Sequence, residues 1–362
     1  MNNTISNHWY AIQETLFPHL KEVLGSLSEK QHQLVTVVEM SRISEFIRYR
    51  LGDVGRPPKN RKALAIAYVA KAVYNMPTTA MLIDRLKSDI TLRRLCGFER
   101  VCDIPSEATF SRALSEFADT ELAKHVHEAF IERYHSERLI GHISRDASEI
   151  EAREKPKKNP TVAKASKTRG RPKKGEVRPK KPQKRLERQP IQSLEDMLAE
   201  LPTGCDFGRK TNSKGHGHTW AGYKLHADVA DGGIAISVLL SSASLHDSQA
   251  AIPLAMMTHQ QVTNLYDLMD AAYDCPEIRD HSQSLGHVEI IDHNKRRGPK
   301  IEMSPAQKVR YRERSTSERY FGRLKDDLGG RFVRVRGHAK VLTHLMFGII
   351  ALNVEQTVRL LC

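Results

Sequence analysis

The sequence predicts an α/β protein, a mixed sheet with flanking helices on both faces, preceded by an all-helical N-terminal domain. Two observations predict it. Residues 1 to about 136 carry helical periodicity and capping signals only. From Leu139 onward, alternating segments interleave with helical ones in the order strand, hairpin, helix, strand, helix, strand, helix. The chain has 362 residues, 40% of them apolar, which suits two domains or one large domain with an insert.

Taken in order, Ser26-x-x-Glu29 reads as a capping box opening a helix towards Arg48. A Gly-Arg-Pro-Pro turn at Gly55 to Pro58 follows, and Arg61 to Tyr74 is apolar and Ala-rich, as a buried helix is. Thr79 to Leu86 forms a short helix, and Ser106 is the N-cap of another running through Phe117. Short helices between tight turns are compatible with a helix-turn-helix fold and equally with a plain helical bundle. Leu139 to Ala147 reads as a strand ending in Asp146. Trp220 to Val229 and Ile234 to Leu240 form a hairpin about Asp231-Gly232-Gly233. His246 to Met257 is a helix opened by Asp247, and Val262 to Asp270 a strand ending in a second acid. Pro276 to Ser284 is a helix, Val288 to Asp292 a strand, Ser304 to Asp327 a long helix, and His338 to Leu361 a mostly apolar one. That order matches a ribonuclease-H-like core over residues 137–362, with 1–136 as the helical domain.

Charge is unevenly placed. Arg153 to Pro190 holds 16 Lys and Arg against 3 Asp and Glu, which accounts for +13 of the chain's net +14. A Pro-rich basic stretch of this kind predicts a disordered insert at about 153–215 and a polyanionic partner, by default nucleic acid. A solubilising linker is the bland alternative. Within it, Arg169-Gly170-Arg171-Pro172 with Lys173 and Lys174 reads like an AT-hook core suited to a narrow minor groove, a pattern that a basic linker also produces by chance. No run of 18 apolar residues and no signal pattern is present, so neither a membrane span nor secretion is expected. Five scattered cysteines include no CxxC pair, which argues against a zinc knuckle or a disulfide framework and for a reducing, cytoplasmic setting. His216, His218 and His226 lack a second ligand pair at zinc spacing.

The richest stretch is YRERSTSERYFGRLK, Tyr311 to Lys325. On one continuous helix at about 100° per residue, Tyr311 and Lys325 fall about 20° from Glu318 around the axis, and Arg314 about 40°. The four share a face. A carboxylate flanked by two cations and an aromatic hydroxyl suits a metal ion together with a phosphodiester. Ordinary surface ion pairs produce the same spacing. Two-metal phosphodiester cleavage needs several carboxylates around ions about 4 Å apart. Acids at the ends of adjacent strands, roughly 4.8 Å apart, with a third from a packed helix, meet that need. Asp146, Asp270 and Glu318 are the candidates.

These segments resemble bacterial insertion-sequence transposases of the DDE type. Tyr311, Arg314, Glu318 and Lys325 are similar to their Tyr-Arg-Glu-Lys signature, LMDAAYD around Asp270 to their Asp-x-x-Tyr-Asp motif, and SRDAS around Asp146 to their first motif. GYKLH at Gly222 to His226 and ASLHDS at Ala243 to Ser248 also look like family segments, so the likeness covers roughly residues 50 to 355. It implies Asp146, Asp270 and Glu318 as catalytic ligands of two Mg²⁺ (Mn²⁺ being an alternative), with Arg314 and Lys325 on DNA phosphates and Tyr311 at a DNA end. The N-terminal region would help bind the element's ends, with Glu107, Thr109, Ser111 and Arg112 towards a groove or phosphate. Expected partners are double-stranded DNA, as element ends and target, and a second copy of the chain, in a nucleoid-associated bacterial protein with no membrane. Competing ligands are Asp274, expected instead to cap a helix, Asp247 and Asp292. Glu149 and Glu151 are expected to face solvent, and Lys295-Arg296-Arg297 is a phosphate-contacting loop or a solvated turn. The alternative function is a non-catalytic DNA-binding protein derived from a transposase, and a nuclease without strand transfer is a third.

Overall fold

A computed structural model describes residues 3–47, 58–156, 183–211, 215–294, 298–299 and 301–361. Arg169, Arg171, Lys173 and Lys174 of the AT-hook-like stretch, and the Lys295-Arg296-Arg297 loop, lie outside the described residues.

Helices occupy the N-terminal part: α1 Asn3–Ala11, α2 Phe17–Leu24, α3 Glu29–Ser41, α4 Arg61–Val73, α5 Thr79–Ser88, α6 Ile90–Leu95, α7 Glu107–Asp119 and α8 Leu122–His135. The capping box of α3 is Ser28 with Gln31, two residues later than Ser26 with Glu29; both pairs satisfy the pattern, and Ser28 takes the Gln31 N–H. The helix stops at Ser41, where Arg42 adopts the left-handed conformation, short of Arg48.

The sheet begins with β1 Leu139–Glu151 and continues, after α9 Arg185–Arg188 and α10 Leu194–Ala199, with β2 Asp206–Thr211, β3 Gly217–Ala230 and β4 Ile234–Ser242. After α11 Ala251–His259 come β5 Thr263–Met269, α12 Pro276–Ser284, β6 Val288–Ile291, α13 Pro305–Tyr311, α14 Ser315–Asp327 and α15 His338–Arg359. The strand order is β2-β3-β1-β5-β6, with β4 also paired to β3. β1 is antiparallel to β3 and parallel to β5, and β5 is parallel to β6. This mixed sheet with its flanking helices is a ribonuclease-H-like fold, preceded by a helical region.

Further expectations change. β1 runs on through Ser148–Glu151 because β3 continues to pair with it as far as Gly222, so Asp146 sits inside the strand. Residues 183–211, expected in a disordered insert, form α9, α10 and the edge strand β2. The helix from Ser304 to Asp327 is broken by a 3₁₀ turn at Arg312–Arg314. Asp247 does not cap: the His246 side chain takes the Ser248 N–H, and Asp247 pairs with Lys224 at 2.9 Å. Gly222 marks the point where β3 passes from β2 to β4. A Cβ there would lie 2.1 Å from the Ile150 carbonyl oxygen.

One hydrophobic cluster joins the N-terminal helices to the sheet, centred on α15, which packs on α3, α4, α7, α8 and β4. By length and composition α15 could cross a membrane, yet 72% of its apolar window is buried inside the protein; it is the core helix. The opposite sheet face is covered by α10, α11 and α12 through two smaller clusters.

Candidate active site

Side chains alternate across a strand, so consecutive residues of β1 serve opposite faces. Arg145 enters the α11–α12 side, where its guanidinium makes a bidentate pair with Asp228 at 2.7 and 2.8 Å and lies 3.9 Å from Asp267. All three are buried. Thr258 donates to Asp228, while Ser282 and Asn264 donate to Asp267. Burial alone would raise the Asp267 carboxyl, but Arg145 and His287 outweigh it and hold it at about 2. This network locks β1, β3 and β5 together beneath the candidate site.

Ser144 and Asp146 take the other face, towards α14. The Ser144 hydroxyl lies 2.6 Å from the Arg314 carbonyl oxygen and 2.9 Å from Ser317 Oγ, which ties the 3₁₀ turn and α14 to β1. The β1–β5 register pairs Leu139 with Thr263 and Ser144 with Leu268. Continued by two residues, it sets Asp270 level with Asp146, on strands roughly 4.8 Å apart. Asp146 Oδ1 accepts from the Ala147 N–H at 2.7 Å, and Asp270 Oδ1 from the Ala272 N–H at 2.8 Å. Burial pushes the Asp146 carboxyl up to about 6, with the Ala147 N–H opposing and the Asp270 charge adding to the rise. Asp270 is raised too, by burial first and by Asp247 among its neighbours. Below them the Tyr273 hydroxyl is buried without a hydrogen-bond partner among the described residues. Burial, then Asp247, Asp146 and Asp270, hold it protonated.

Arg314 stands between the first and third acids. Its guanidinium is 4.0 Å from Asp146 Oδ2 and 2.5 Å from Glu318 Oε1, and lies 5.9 Å from the centre of the Tyr311 ring. Glu318, in the first turn of α14, is 55% exposed. Burial lifts the Tyr311 phenol to about 12, with Arg314 opposing and Asp292, Asp270 and Asp146 reinforcing. Tyr311, Arg314 and Glu318 are thus one contact chain leading to Asp146. Lys325 lies two turns further along α14, where burial lowers its pKa and the Glu149 charge is the largest opposing influence.

The donor set fits Mg²⁺ or Mn²⁺ in chemistry. Asp146 and Asp270 are neighbouring carboxylates, each with one oxygen held by a nearby backbone N–H, and both are raised chiefly by burial. The third ligand is not in place: Glu318 is turned to Arg314, and among the described residues no three His, Cys, Asp or Glu side chains are grouped to hold a metal ion.

Other candidates go elsewhere. Asp274 does not cap α12; it pairs with Arg279 at 2.9 Å and accepts the Asn294 N–H. His226 is buried against Ser241. Glu149 is half-buried near Lys325, while Glu151 is exposed. Sequence reasoning missed Lys210, on β2, whose charge is felt at Asp146, Asp270 and Lys325. Its only signal was membership of the basic insert.

Residues 140–354 match the family Transposase DDE domain, and residues 22–116 match Transposase domain (DUF772). No curated protein and no solved structure matches the chain. The first match spans more than half of the sequence and takes in β1, β5 and α14, and on that ground the chain belongs to the insertion-sequence DDE transposases.

Proposed function

We propose that the protein cuts the ends of an insertion sequence and joins them to target DNA, with Asp146, Asp270 and Glu318 as the catalytic carboxylates. The observation that supports this reading is the parallel β1–β5 register, paired as far as Ser144 with Leu268, which continued by two residues sets Asp270 level with Asp146, under a helix that presents Glu318. Divalent ions bound by these residues would supply an activated water for cleavage and an activated 3′-hydroxyl for joining. Asp146 and Asp270 hold their side-chain orientation through their own N–H contacts. Arg314 leaves Glu318 for a DNA phosphate, which frees the Glu318 carboxylate to turn towards the other two. Lys325 and Lys210 neutralise backbone phosphates beside the cut. Tyr311, protonated at neutral pH, serves as a hydrogen-bond donor or stacking surface at the DNA end rather than as a nucleophile.

Two element ends must be cut together, so the active assembly contains at least two copies of the chain. Its work on DNA places it in the cytoplasm at the nucleoid. The test is incubation with Mg²⁺ and DNA carrying the flanking inverted repeats. Cleaved and joined products support the reading. Binding without nicking points to a non-catalytic DNA-binding descendant, and nicking without joining to a nuclease.

A further inference from the structure

A second cationic site lies away from the carboxylates, at the seam between the N-terminal helices and the start of α15. A cavity of about 630 Å³ opens there, lined by Lys71, Arg153, Arg334, Arg336 and Lys340. Among the described residues Glu107 is the one acid in its lining. Among the described residues none of the five cations makes a salt bridge or a side-chain hydrogen bond. Lys71 is the most telling of them. It sits on the apolar helix α4, is only 6% exposed, and burial lowers its pKa to about 8. A buried lysine without a partner is costly. His344 adds no charge, because burial and Lys71 hold it neutral. The starts of three helices also border the cavity, through Thr78 and Thr79 of α5, Glu107 of α7, and Arg336 and Lys340 on either side of the α15 start. The positive dipole end of α5 adds to the same field, whereas Glu107 stands in the first turn of α7 and Glu154 accepts the Gly337 N–H at the start of α15.

Five uncompensated cations around a concave site, one of them buried, are built for an anion with several oxygens. We infer that this cavity seats backbone phosphates of the DNA duplex whose end is processed at Asp146, Asp270 and Glu318. Arg153 follows β1 seven residues after Asp146, and at about 3.3 Å per residue the two lie roughly 20 Å apart. A duplex leaving the carboxylates along β1 therefore reaches the cavity within one helical turn of DNA. The inference rests on DNA being the substrate.

The test measures binding of a fluorescein-labelled duplex against salt concentration, for the full chain and for Arg334→Ala/Arg336→Ala, both exposed positions, with Lys71→Met as a third change. Each phosphate contact removed should lower the slope of log K against log salt by about 0.9. The double variant should lose about 2 from that slope and the triple variant nearly 3. In parallel, Lys71 is acetylated at pH 8 and read by mass spectrometry. The duplex should protect it, whereas millimolar inorganic phosphate or dATP should not. An unchanged slope in both variants, with wild type still binding DNA, overturns the pocket and leaves the transposase reading standing. Protection by dATP but not by duplex also overturns it, in favour of a free nucleotide. Wild type that binds no DNA at all refutes the transposase reading itself, and the duplex site with it.

Discussion

Replacing Arg145 with Met is the sharpest structural perturbation of this fold. Arg145 is the largest fully buried side chain, and it precedes Asp146 in β1. Methionine keeps most of the stem and removes the guanidinium. Asp228 then loses both of its charge-assisted bonds and, among the described residues, keeps Thr258 alone, while Asp267 keeps Ser282, Asn264 and His287. The cost therefore concentrates on Asp228, a carboxylate with no exposure. Breaking a buried pair from one side costs about 3–5 kcal/mol. At about 2.1 cal/mol/K of unfolding entropy per residue, a chain of this size should lose about 4–7 °C in Tm. Burial already raises the Asp228 carboxyl with Arg145 in place, and loss of Arg145 raises it further above its unfolded value. Its protonated form is the stable one, so the deficit should shrink at low pH and grow as pH rises through that pKa. Thermal and urea unfolding at pH 5 and pH 8 measure both effects, and adding Asp228→Asn should recover part of the loss. A cost below about 1 kcal/mol, or one independent of pH, would refute the argument that this network holds β1, β3 and β5 in place.

Asp146→Asn should act in the opposite direction. Raising that carboxyl to about 6 costs the metal-free protein about 1–3 kcal/mol at neutral pH. The stabilising protonated form is complete below about pH 4 and is lost as pH rises through 6. The variant should therefore melt higher than wild type at pH 7.5 without metal, match it near pH 4, and lose the stabilisation that Mg²⁺ gives wild type; differential scanning calorimetry checks all three. Ser144→Ala removes the link to Arg314 and Ser317 and should cost about 1–2 kcal/mol in urea titrations, with DNA cleavage falling more than DNA binding. Gly222→Ala forces a Cβ against Ile150 and should cost more than about 2 kcal/mol, seen as lost amide protection across Asp206–Thr211.

The sequence made the catalytic half of the fold readable because its strands are apolar, alternating and bounded by turn residues. Ile234–Ser242 is buried throughout, and Pro276–Ser284 begins at a proline suited to the first helical turn. β2 gave no such signal. Only Gly208 of its six residues is buried, so an edge strand of polar residues looks like linker until β3 pairs with it. The break at Arg312–Arg314 was equally hidden, since no Gly or Pro marks it. It coincides with the Ser144 contact to the Arg314 carbonyl, a tertiary interaction invisible to periodicity. The consequence reaches the site. Lys325 and Glu318 still share one helix, but Tyr311 and Arg314 approach through the turn, and Arg314 pairs directly with Glu318. The cavity around Lys71 was beyond sequence reading, because its five cations come from three separated stretches of chain.

Glu318 is the residue on which the proposed chemistry depends most directly. Cleavage and joining of DNA carrying the inverted repeats, in Mg²⁺, should be measured for wild type and Glu318→Ala beside duplex binding. Wild type should give products, Glu318→Ala none, and both should bind the duplex equally if Glu318 is a catalytic carboxylate. Equal product yields from the two proteins would contradict that role.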